Sequence, residues 1–334
     1  MTDPESLPPW SRFSSLDFDQ SAKRIQGVVK RTPLLDLPHP DARIRLRAKL
    51  ENRQVTGAFK VRGAWNNIQG LTAVERAAGV VCASSGNHGR ALAWAARKAG
   101  VRATIVMPKD AYANKIEACR AEDAEVLLAD SRPEADELCE QRVAAGQVLV
   151  HPFDLDGTIE GTGTVGMEIL EQAPDVDAVL VPVGGGGLAA GLSLAMRRAR
   201  GAGIKIAAVE PEGAANLQLG LAAGKPVRLD AITTEVQGLC PPAAGHRNVA
   251  ICMTTIDQVW TVSDAQVFAA QAALVELGEV VEPAGAASYA AALAGLPEDW
   301  VGSYRPDKPL QVVLVVSGGN ADASQLRELQ EPAR

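Results

Sequence analysis

One lysine in this sequence stands where it could carry covalent chemistry. The surrounding segment reads Thr-Gly-Ala-Phe-Lys-Val-Arg-Gly-Ala, so Lys60 follows a flexible Gly-Ala pair and the ring of Phe59. Inside an apolar pocket a lysine amine loses its proton more easily and can form a Schiff base with a carbonyl compound. On the surface it would only be solvated. The chemistry therefore requires elements that bury Lys60.

Three loops rich in glycine and polar side chains could bind the anionic parts of a ligand. They read Ser-Ser-Gly-Asn-His-Gly from Ser84, Gly-Gly-Gly-Gly from Gly184 and Ser-Gly-Gly-Asn from Ser317, and each follows an apolar run. Successive glycine amides can converge on an anion, and the N-terminus of a following helix adds to the attraction. A helix cap would also explain the first loop and an ordinary turn the third. Four consecutive glycines favour an anion site.

The four-glycine loop also fits the fingerprint of a dinucleotide-binding fold. Gly185, Gly187 and Ala190 have the G-x-G-x-x-A spacing, and Glu210 ends the next apolar run, where an acid would contact a ribose. An NAD-dependent dehydrogenase is therefore the alternative from a different class of enzyme. It leaves the loop at Ser84 and the segment of Lys60 unexplained.

Parallel sheets would bring these loops together. Short, continuously apolar runs are predicted as buried strands, at 79–83, 103–107, 125–128, 148–150, 178–183, 204–210 and 310–317. Amphipathic stretches between them are predicted as helices, at 90–99, 114–121, 134–145, 188–199 and 264–277. This alternation indicates an α/β fold with helices on both faces of parallel sheets. Ligands of such sheets bind at the carboxyl ends of the strands, where the three loops lie.

The composition argues against several other functions. The 334 residues carry 33 Lys and Arg against 40 Asp and Glu, and a net charge of −7 does not suit a nucleic-acid surface. No apolar run reaches the roughly 18 residues of a membrane span, and the N-terminal residues lack the features of a secretory signal. Five scattered cysteines and four histidines argue against a disulfide framework and a His-rich metal site. We therefore expect a cytoplasmic protein that binds a small molecule.

Five motifs, in order along the chain, resemble those of pyridoxal-phosphate (PLP) enzymes of fold type II. They are Ala-Phe-Lys60-x-Arg-Gly-Ala, Ser-Ser-Gly-Asn-His, Gly-Gly-Gly-Gly-Leu, Glu282-Pro-Ala-Gly-Ala and Ser317-Gly-Gly-Asn. The sequence resembles in particular the branch of serine/threonine dehydratases and serine racemases. The resemblance implies a tryptophan synthase β-like fold, in which two doubly wound parallel-sheet domains hold the cofactor in the cleft between them. Residues 1–75 plus 156–334 would form the large PLP-binding domain, and residues 76–155 the small substrate-side domain.

The resemblance also implies a role for each motif residue. Lys60 would hold PLP as a Schiff base and later act as the base, while Phe59 would pack on the pyridine ring. Asn87 would hydrogen-bond the ring hydroxyl, Ser317 would face the ring nitrogen, and Glu282 would lie near the ring. The phosphate would be held by Gly184, Gly185, Gly186 and Gly187. The substrate would be bound by Ser84, Ser85, Gly86, Asn87, His88 and Gly238.

The implied reaction is the dehydration and deamination of an L-threonine or L-serine type of β-hydroxy amino acid to a 2-oxo acid and ammonia. A neutral Ser317 opposite the ring nitrogen agrees with it, because a milder electron sink suits β-elimination. Serine racemase is a close alternative, since racemases of this branch carry a serine, as second acid/base, at the position of Ser85. Dehydratases of 3-hydroxyaspartate can share that serine. The substrate, 3-hydroxyaspartate or another 3-hydroxy amino acid included, therefore remains open.

Some positions depart from the family pattern. Arg90 replaces a frequent glutamine; it could favour an acidic substrate or face solvent, and we expect it to face solvent. Thr162 replaces the glutamine of Gly-Gln-Gly-Thr, and the unusual segment 238–247 could reshape the substrate side.

A divalent-cation site of racemase-like relatives aligns with Glu210, the carbonyl of Ala214 and Asn216. Asn216 replaces an expected aspartate, and one fewer charge should weaken the binding of Mg²⁺ or another hard cation. The alternative is that Glu210 caps or pairs locally. The resemblance further suggests a homodimer.

Overall fold

The computed structural model of the protein describes residues 8–322. Its strands are β1 (Leu34–Leu37), β2 (Ile44–Leu50), β3 (Val80–Ala83), β4 (Ala103–Pro108), β5 (Glu125–Ala129), β6 (Val148–Leu149), β7 (Ala178–Pro182), β8 (Lys205–Pro211), β9 (Gln258–Val262) and β10 (Leu310–Val316). Its helices are α1 (Phe18–Ile25), α2 (Lys60–Gly70), α3 (Ala73–Ala78), α4 (Asn87–Ala99), α5 (Ala113–Arg120), α6 (Arg132–Ala144), α7 (Asp156–Gln172), α8 (Gly187–Arg200), α9 (Asn216–Ala223), α10 (His246–Thr255), α11 (Asp264–Glu276), α12 (Pro283–Ala294) and α13 (Glu298–Val301).

The larger of two sheets has the strand order β1-β2-β10-β7-β8-β9. All of its neighbouring strands are parallel except β1, which is antiparallel to β2. The sequence predicted parallel sheets, and β1 is the exception. The short connection at residues 38–43 returns the chain directly beside β1, which gives an antiparallel pair.

Strand β10 shows why the larger sheet is buried on both faces. Val312, Leu314 and Val316 belong to a core formed with α11 and α12, whereas Val313 and Val315 belong to a core formed with α7 and α8. Successive side chains of a strand point to opposite faces of the sheet. A strand covered on both faces therefore needs the continuous apolar run that the sequence shows here.

The smaller sheet has the strand order β5-β4-β3-β6, and all of its strands are parallel. Apolar side chains of α2, α4 and α5 cover one face, and those of α6 cover the other. The two sheets with helices on both faces confirm the predicted α/β fold. No helix within the described range is long and apolar enough to cross a membrane.

The loops singled out in the sequence all lie at carboxyl ends of strands. Residues 84–86 connect β3 to α4, residues 183–186 connect β7 to α8, and residues 317–320 follow β10. Lys60 is the first residue of α2. The topology therefore places these loops where ligands of parallel sheets bind.

Candidate active site

Lys60 is partly buried and points toward a backbone carbonyl. Its Nζ donates a hydrogen bond to the carbonyl oxygen of Pro152 at 2.7 Å. Burial lowers the pKa of Lys60 from 10.5 to about 8, and the charge of Glu282 opposes that change. A substantial fraction of the amine is therefore neutral at mildly alkaline pH, as a nucleophile or base requires.

The segment before Lys60 is tied to the end of β10. The amide of Phe59 donates to the carbonyl of Ser317 at 3.1 Å, and the amide of Gly319 donates to the carbonyl of Gly57 at 2.8 Å. The hydroxyl of Ser317 is buried and donates to the carbonyl of Ala284 at 3.3 Å. Two motifs far apart in the sequence are thus joined by backbone hydrogen bonds, which fix the segment just before Lys60 against the end of β10.

A chain of hydrogen bonds joins α4 to α12. Arg90 Nη1 donates to Asn320 Oδ1 at 2.8 Å, and Asn320 Nδ2 donates to Asn87 Oδ1 at 2.7 Å and to the carbonyl of Thr56 at 2.9 Å. Asn87 Nδ2 in turn donates to Glu282 Oε1. Arg90 was expected to face solvent; it is instead partly buried and bound to Asn320. Because arginine only donates, Asn320 must turn its oxygen toward Arg90.

Glu282 precedes α12 and is almost fully buried. Burial raises its pKa from 4.5 to about 7, although the hydrogen bond from Asn87 and the charges of Lys115 and Lys60 act in the opposite direction. The carboxyl group can therefore exchange a proton near neutral pH.

The four-glycine loop is shaped by its contact with Phe153. A Cβ on Gly185 would lie 2.2 Å from the ring of Phe153, and one on Gly187 would lie 2.6 Å from its carbonyl oxygen. Gly186 has φ of 88°, which favours glycine. Within the described chain, the amides of residues 184–189 donate no hydrogen bond to protein. These unpaired donors at the N-terminus of α8 fit a phosphate group.

The loop before α4 presents backbone and hydroxyl groups. Ser84, Ser85, Gly86 and Asn87 are partly exposed, and the hydroxyl of Ser85 has no hydrogen-bond partner among the described residues. The ring of His88 is buried and pairs with the carbonyl of Val150 at 2.7 Å, so only its backbone remains to face a substrate. Burial lowers the pKa of His88 to about 3, which keeps the ring neutral.

Gly238 lies close to the four-glycine loop. A Cβ on Gly184 would lie 3.1 Å from the carbonyl oxygen of Gly238, and Gly238 itself has φ of 96°. The segment 238–247 therefore contacts the loop at Gly238, and again at Gly245, whose amide donates to the carbonyl of Gly185 at 3.1 Å.

The carboxylate of Glu210 caps α9. Its Oε1 accepts from the amide of Leu217 at 2.8 Å and its Oε2 from the amide of Gln218 at 2.9 Å. Asn216 Nδ2 donates to the carbonyls of Ala214 and Pro241. No cluster of three or more His, Cys, Asp or Glu that could hold a metal occurs in residues 8–322. The local cap anticipated for Glu210 is thus present.

Sequence reasoning missed the segment at 150–154, which contacts three of the site's motifs. Val150 binds His88, Pro152 binds Lys60, Phe153 packs on the glycine loop, and the carboxylate of Asp154 accepts from the first amides of α10. Pro152 is the one residue type there that could have drawn attention, because proline often marks a break between elements. Asn248, which also contacts the glycine loop, carries no sequence signal.

The arrangement fits a cofactor that has both an aldehyde and a phosphate. Lys60 provides a partly neutral amine, and the loop at residues 184–187 provides amides without a partner in residues 8–322, on a cradle that a Cβ would fill. Asn87 and Ser317 provide polar groups from two sides. Pyridoxal phosphate has these two reactive features, and the residues present suit it.

Comparisons with known proteins agree with this fit. The family model described as "Pyridoxal-phosphate dependent enzyme" matches residues 25–318. A serine racemase of Oryza sativa subsp. indica is 37% identical over 314 residues, which cover 92% of this chain and 91% of the relative. A phenylserine dehydratase of Ralstonia pickettii is 35% identical over 328 residues, 96% of each chain. The solved structure of maize serine racemase has a TM-score of 0.86 at 35% identity and covers 94% of this chain and 95% of that one. The chain therefore belongs to the family of pyridoxal-phosphate dependent enzymes.

Proposed function

We propose that this enzyme dehydrates and deaminates a β-hydroxy amino acid of the L-threonine or L-serine type to a 2-oxo acid and ammonia. The observation that carries the proposal is Lys60, a partly buried amine whose pKa is lowered to about 8 and whose neighbour Phe59 is hydrogen-bonded to Ser317. Bound PLP supplies an electron sink for negative charge at the substrate Cα, and a neutral partner at its ring nitrogen suits elimination. A phenylserine dehydratase among the relatives supports this reaction class.

Each site residue has a proposed task in that reaction. Lys60 would hold the cofactor and, once released, take the α-proton of the substrate at Nζ. The substrate carboxylate would bind in the loop formed by Ser84, Ser85, Gly86, Asn87 and His88, next to Gly238. The cofactor would contact Phe59, Asn87, Gly184, Gly185, Gly186, Gly187, Glu282 and Ser317.

The decisive experiment is a substrate panel assayed for 2-oxo acid. Serine, threonine, 3-hydroxyaspartate and phenylserine should be supplied in all stereoisomers. The parent protein should convert at least one of these substrates to a 2-oxo acid. The Lys60→Ala variant should convert none. Borohydride should fix the cofactor to Lys60 in the parent. A protein that forms no 2-oxo acid from any of them would contradict the proposal.

Serine racemisation is a second proposed activity, because the Ser85 hydroxyl is partly exposed and unpartnered in the described chain. Such a hydroxyl is free to exchange a proton with a substrate. Chiral analysis of serine during turnover would detect the activity. Ser85→Ala should remove racemisation while 2-oxo acid formation continues. Equal loss of both activities would contradict a separate role for Ser85.

A nicotinamide dehydrogenase is the weaker alternative for the four-glycine loop. Glu210, which a dinucleotide site would require for a ribose, has both oxygens bound to amides of α9. Titration of the protein with NAD⁺ and NADH, followed by nicotinamide fluorescence, should show no binding.

We also propose the assembly and domain division that the resemblance implies. Residues 76–155 would form the small domain, which the separate sheet between Val80 and Leu149 supports; residues 1–7 and 323–334 of the large domain lie outside the described range. Five free cysteines support a cytoplasmic location. Light scattering on the protein as it leaves a size-exclusion column should give a molar mass of twice the 35.0 kDa of one chain if the protein is a homodimer.

A further inference from the structure

Three carbonyl groups of the four-glycine loop accept hydrogen bonds, whereas its amides donate none to the described residues. The carbonyl of Gly185 accepts from Asn248 Nδ2 at 2.7 Å and from the amide of Gly245 at 3.1 Å. The carbonyl of Gly187 accepts from Thr162 Oγ1 at 2.8 Å, and that of Gly186 accepts from the amide of Ala190 at 2.8 Å. Residues 8–322 thus provide hydrogen-bond partners for these carbonyls but not for the amides of the loop.

Anchoring a carbonyl also orients the amide that follows it. A trans peptide group is planar, with its C=O and N–H pointing in opposite directions. When Asn248 and Gly245 hold the carbonyl of Gly185 toward α10, the amide of Gly186 must point away from α10. Asn248 therefore determines the direction of a donor that it does not touch.

The hydrogen bonds of Asn248 suit it to orient this peptide group, although burying its side chain costs free energy. Its side chain is fully buried, and Nδ2 also donates to the carbonyl of Phe153 at 2.9 Å. Both partners are carbonyls, so the amide nitrogen must face them, and Oδ1 is left buried without a donor in the described chain. An apolar residue would avoid that orphaned oxygen but would leave the carbonyl of Phe153 without this donor and that of Gly185 with one fewer.

We propose that Asn248 is a positioning residue for cofactor binding. It pre-organises the four-glycine loop so that the amides of the loop face the phosphate. The inference rests on the proposed phosphate-binding role of residues 184–187. It places the specificity for a phosphorylated cofactor partly on α10, outside the loop itself. The side chain acts through Gly185 and does not touch the ligand.

The test compares phosphorylated and unphosphorylated forms of the cofactor. Apoenzyme of the parent and of Asn248→Leu is titrated with pyridoxal phosphate and with pyridoxal, and binding is followed by absorbance. Loss of the anchor should weaken the affinity for pyridoxal phosphate by about ten-fold or more, a typical effect of losing buried hydrogen bonds. The affinity for pyridoxal, which reaches Lys60 without a phosphate, should change by less than about two-fold.

Inorganic phosphate gives a second readout that needs neither Lys60 nor turnover. A ligand that binds the folded state raises its stability with concentration. Phosphate should raise the melting temperature of the parent apoenzyme more than that of the variant. Both measurements omit the amino acid, so they remain valid whatever the substrate panel shows.

A matched control is Asn66→Leu, on α2. Asn66 is also fully buried, and its Nδ2 donates to the carbonyl of Gly157 at 2.8 Å. This variant should lose stability but keep the parent ratio of pyridoxal phosphate to pyridoxal affinity. If Asn248→Leu does not fold, Asn248→Ala replaces it. Equal weakening of both cofactor forms, or no weakening of either, would overturn the proposal.

Discussion

Burial sets the protonation of Lys60, and this gives a pH prediction at the scale of one residue. The pKa of its amine is lowered to about 8 because the amine loses hydration. Only the neutral amine attacks an aldehyde, so the rate of cofactor capture by apoenzyme should rise as the pH passes through about 8 and level off above it. Stopped-flow absorbance at several pH values measures this. A midpoint near the ordinary lysine value of 10.5 would show that Lys60 is solvated.

Arg90 gives a second prediction at the residue scale. Its guanidinium fixes Asn320, and through it the side chain of Asn87. Arg90→Met should therefore change the absorption spectrum of the bound cofactor and lower kcat by about ten-fold, as expected for a lost hydrogen bond to a charged group. Neutral and acidic substrates should be affected equally.

The matched control for Arg90 is Arg97→Met on the same helix. Arg97 is half exposed and pairs with Glu122, away from the hydrogen-bond chain. The Arg97→Met substitution should leave the cofactor spectrum and kcat unchanged. If Arg90→Met impairs only acidic substrates and leaves the spectrum of the resting enzyme unaltered, Arg90 binds the substrate side chain instead.

At the scale of elements, buried charges hold α2 against α7 and against the residue that follows β2. Arg62 and Glu51 are fully buried, and the guanidinium of Arg62 binds both oxygens of Glu51, at 2.7 and 2.8 Å, and both of Glu168. Arg62→Met would leave a buried carboxylate unpaired, so we expect the free energy of unfolding to fall by about 3–5 kcal/mol. Urea denaturation measures the change. The exposed pair of Arg120 and Glu117 is the control, because Arg120→Met should cost less than about 1 kcal/mol.

The cap of α9 gives a prediction about pH and cations. Burial raises the pKa of Glu210 from 4.5 to about 7, so between these values the folded state holds more protons than the unfolded state. The contribution of Glu210 to stability is therefore full below about pH 4.5 and is lost as the pH rises through about 7. As the pH rises from about 4.5 to about 7, the melting temperature of Glu210→Gln should therefore fall less than that of the parent.

The same variant tests the weakened cation site. Both oxygens of Glu210 accept from amides, and Asn216 supplies no charge. Millimolar Mg²⁺ should therefore give the parent the same melting temperature as EDTA. A stabilisation by Mg²⁺ that disappears in Glu210→Gln would show that the cation displaces the cap.

Two of the elements that the sequence failed to predict contain buried charge or closely packed glycine. Strand β2 reads Ile-Arg-Leu-Arg-Ala-Lys-Leu, and its Lys49 is fully buried because Glu168, far along the chain, neutralises it. Helix α7 is rich in glycine because its backbone packs closely: a Cβ on Gly161 would lie 2.5 Å from the carbonyl oxygen of Arg62. Both facts depend on partners that local patterns do not contain. The continuously apolar strands, which need no such partner, were predicted almost to the residue.

At the scale of the whole molecule, the site depends on contacts between the two sheets. Motifs identified the lysine, the glycines and the hydroxyls, since each needs its own residue type. They did not identify Pro152, Asn320 or Arg90 as partners, because these act through contacts across the cleft. A carbonyl such as that of Pro152 leaves no trace in residue type. The site is therefore predictable where a motif demands particular residue types, and not where partners from distant segments complete it.

This dependence predicts how cofactor removal changes the molecule. The proposed ligands of PLP lie on both sheets: Asn87 begins α4 beside the smaller one, while the four-glycine loop and Ser317 end strands of the larger one. Binding should therefore slow hydrogen exchange in both regions, at residues 86–92 and at residues 184–190. A free PLP concentration of 100 times its Kd should add about 2.7 kcal/mol to the stability of the folded state. Mass spectrometry of apoenzyme and holoenzyme measures the exchange. α13, far along the chain and without a proposed ligand, serves as the internal reference. Protection confined to residues 184–190 would mean that the cofactor binds the larger sheet alone, and the role proposed for Asn87 would then be wrong.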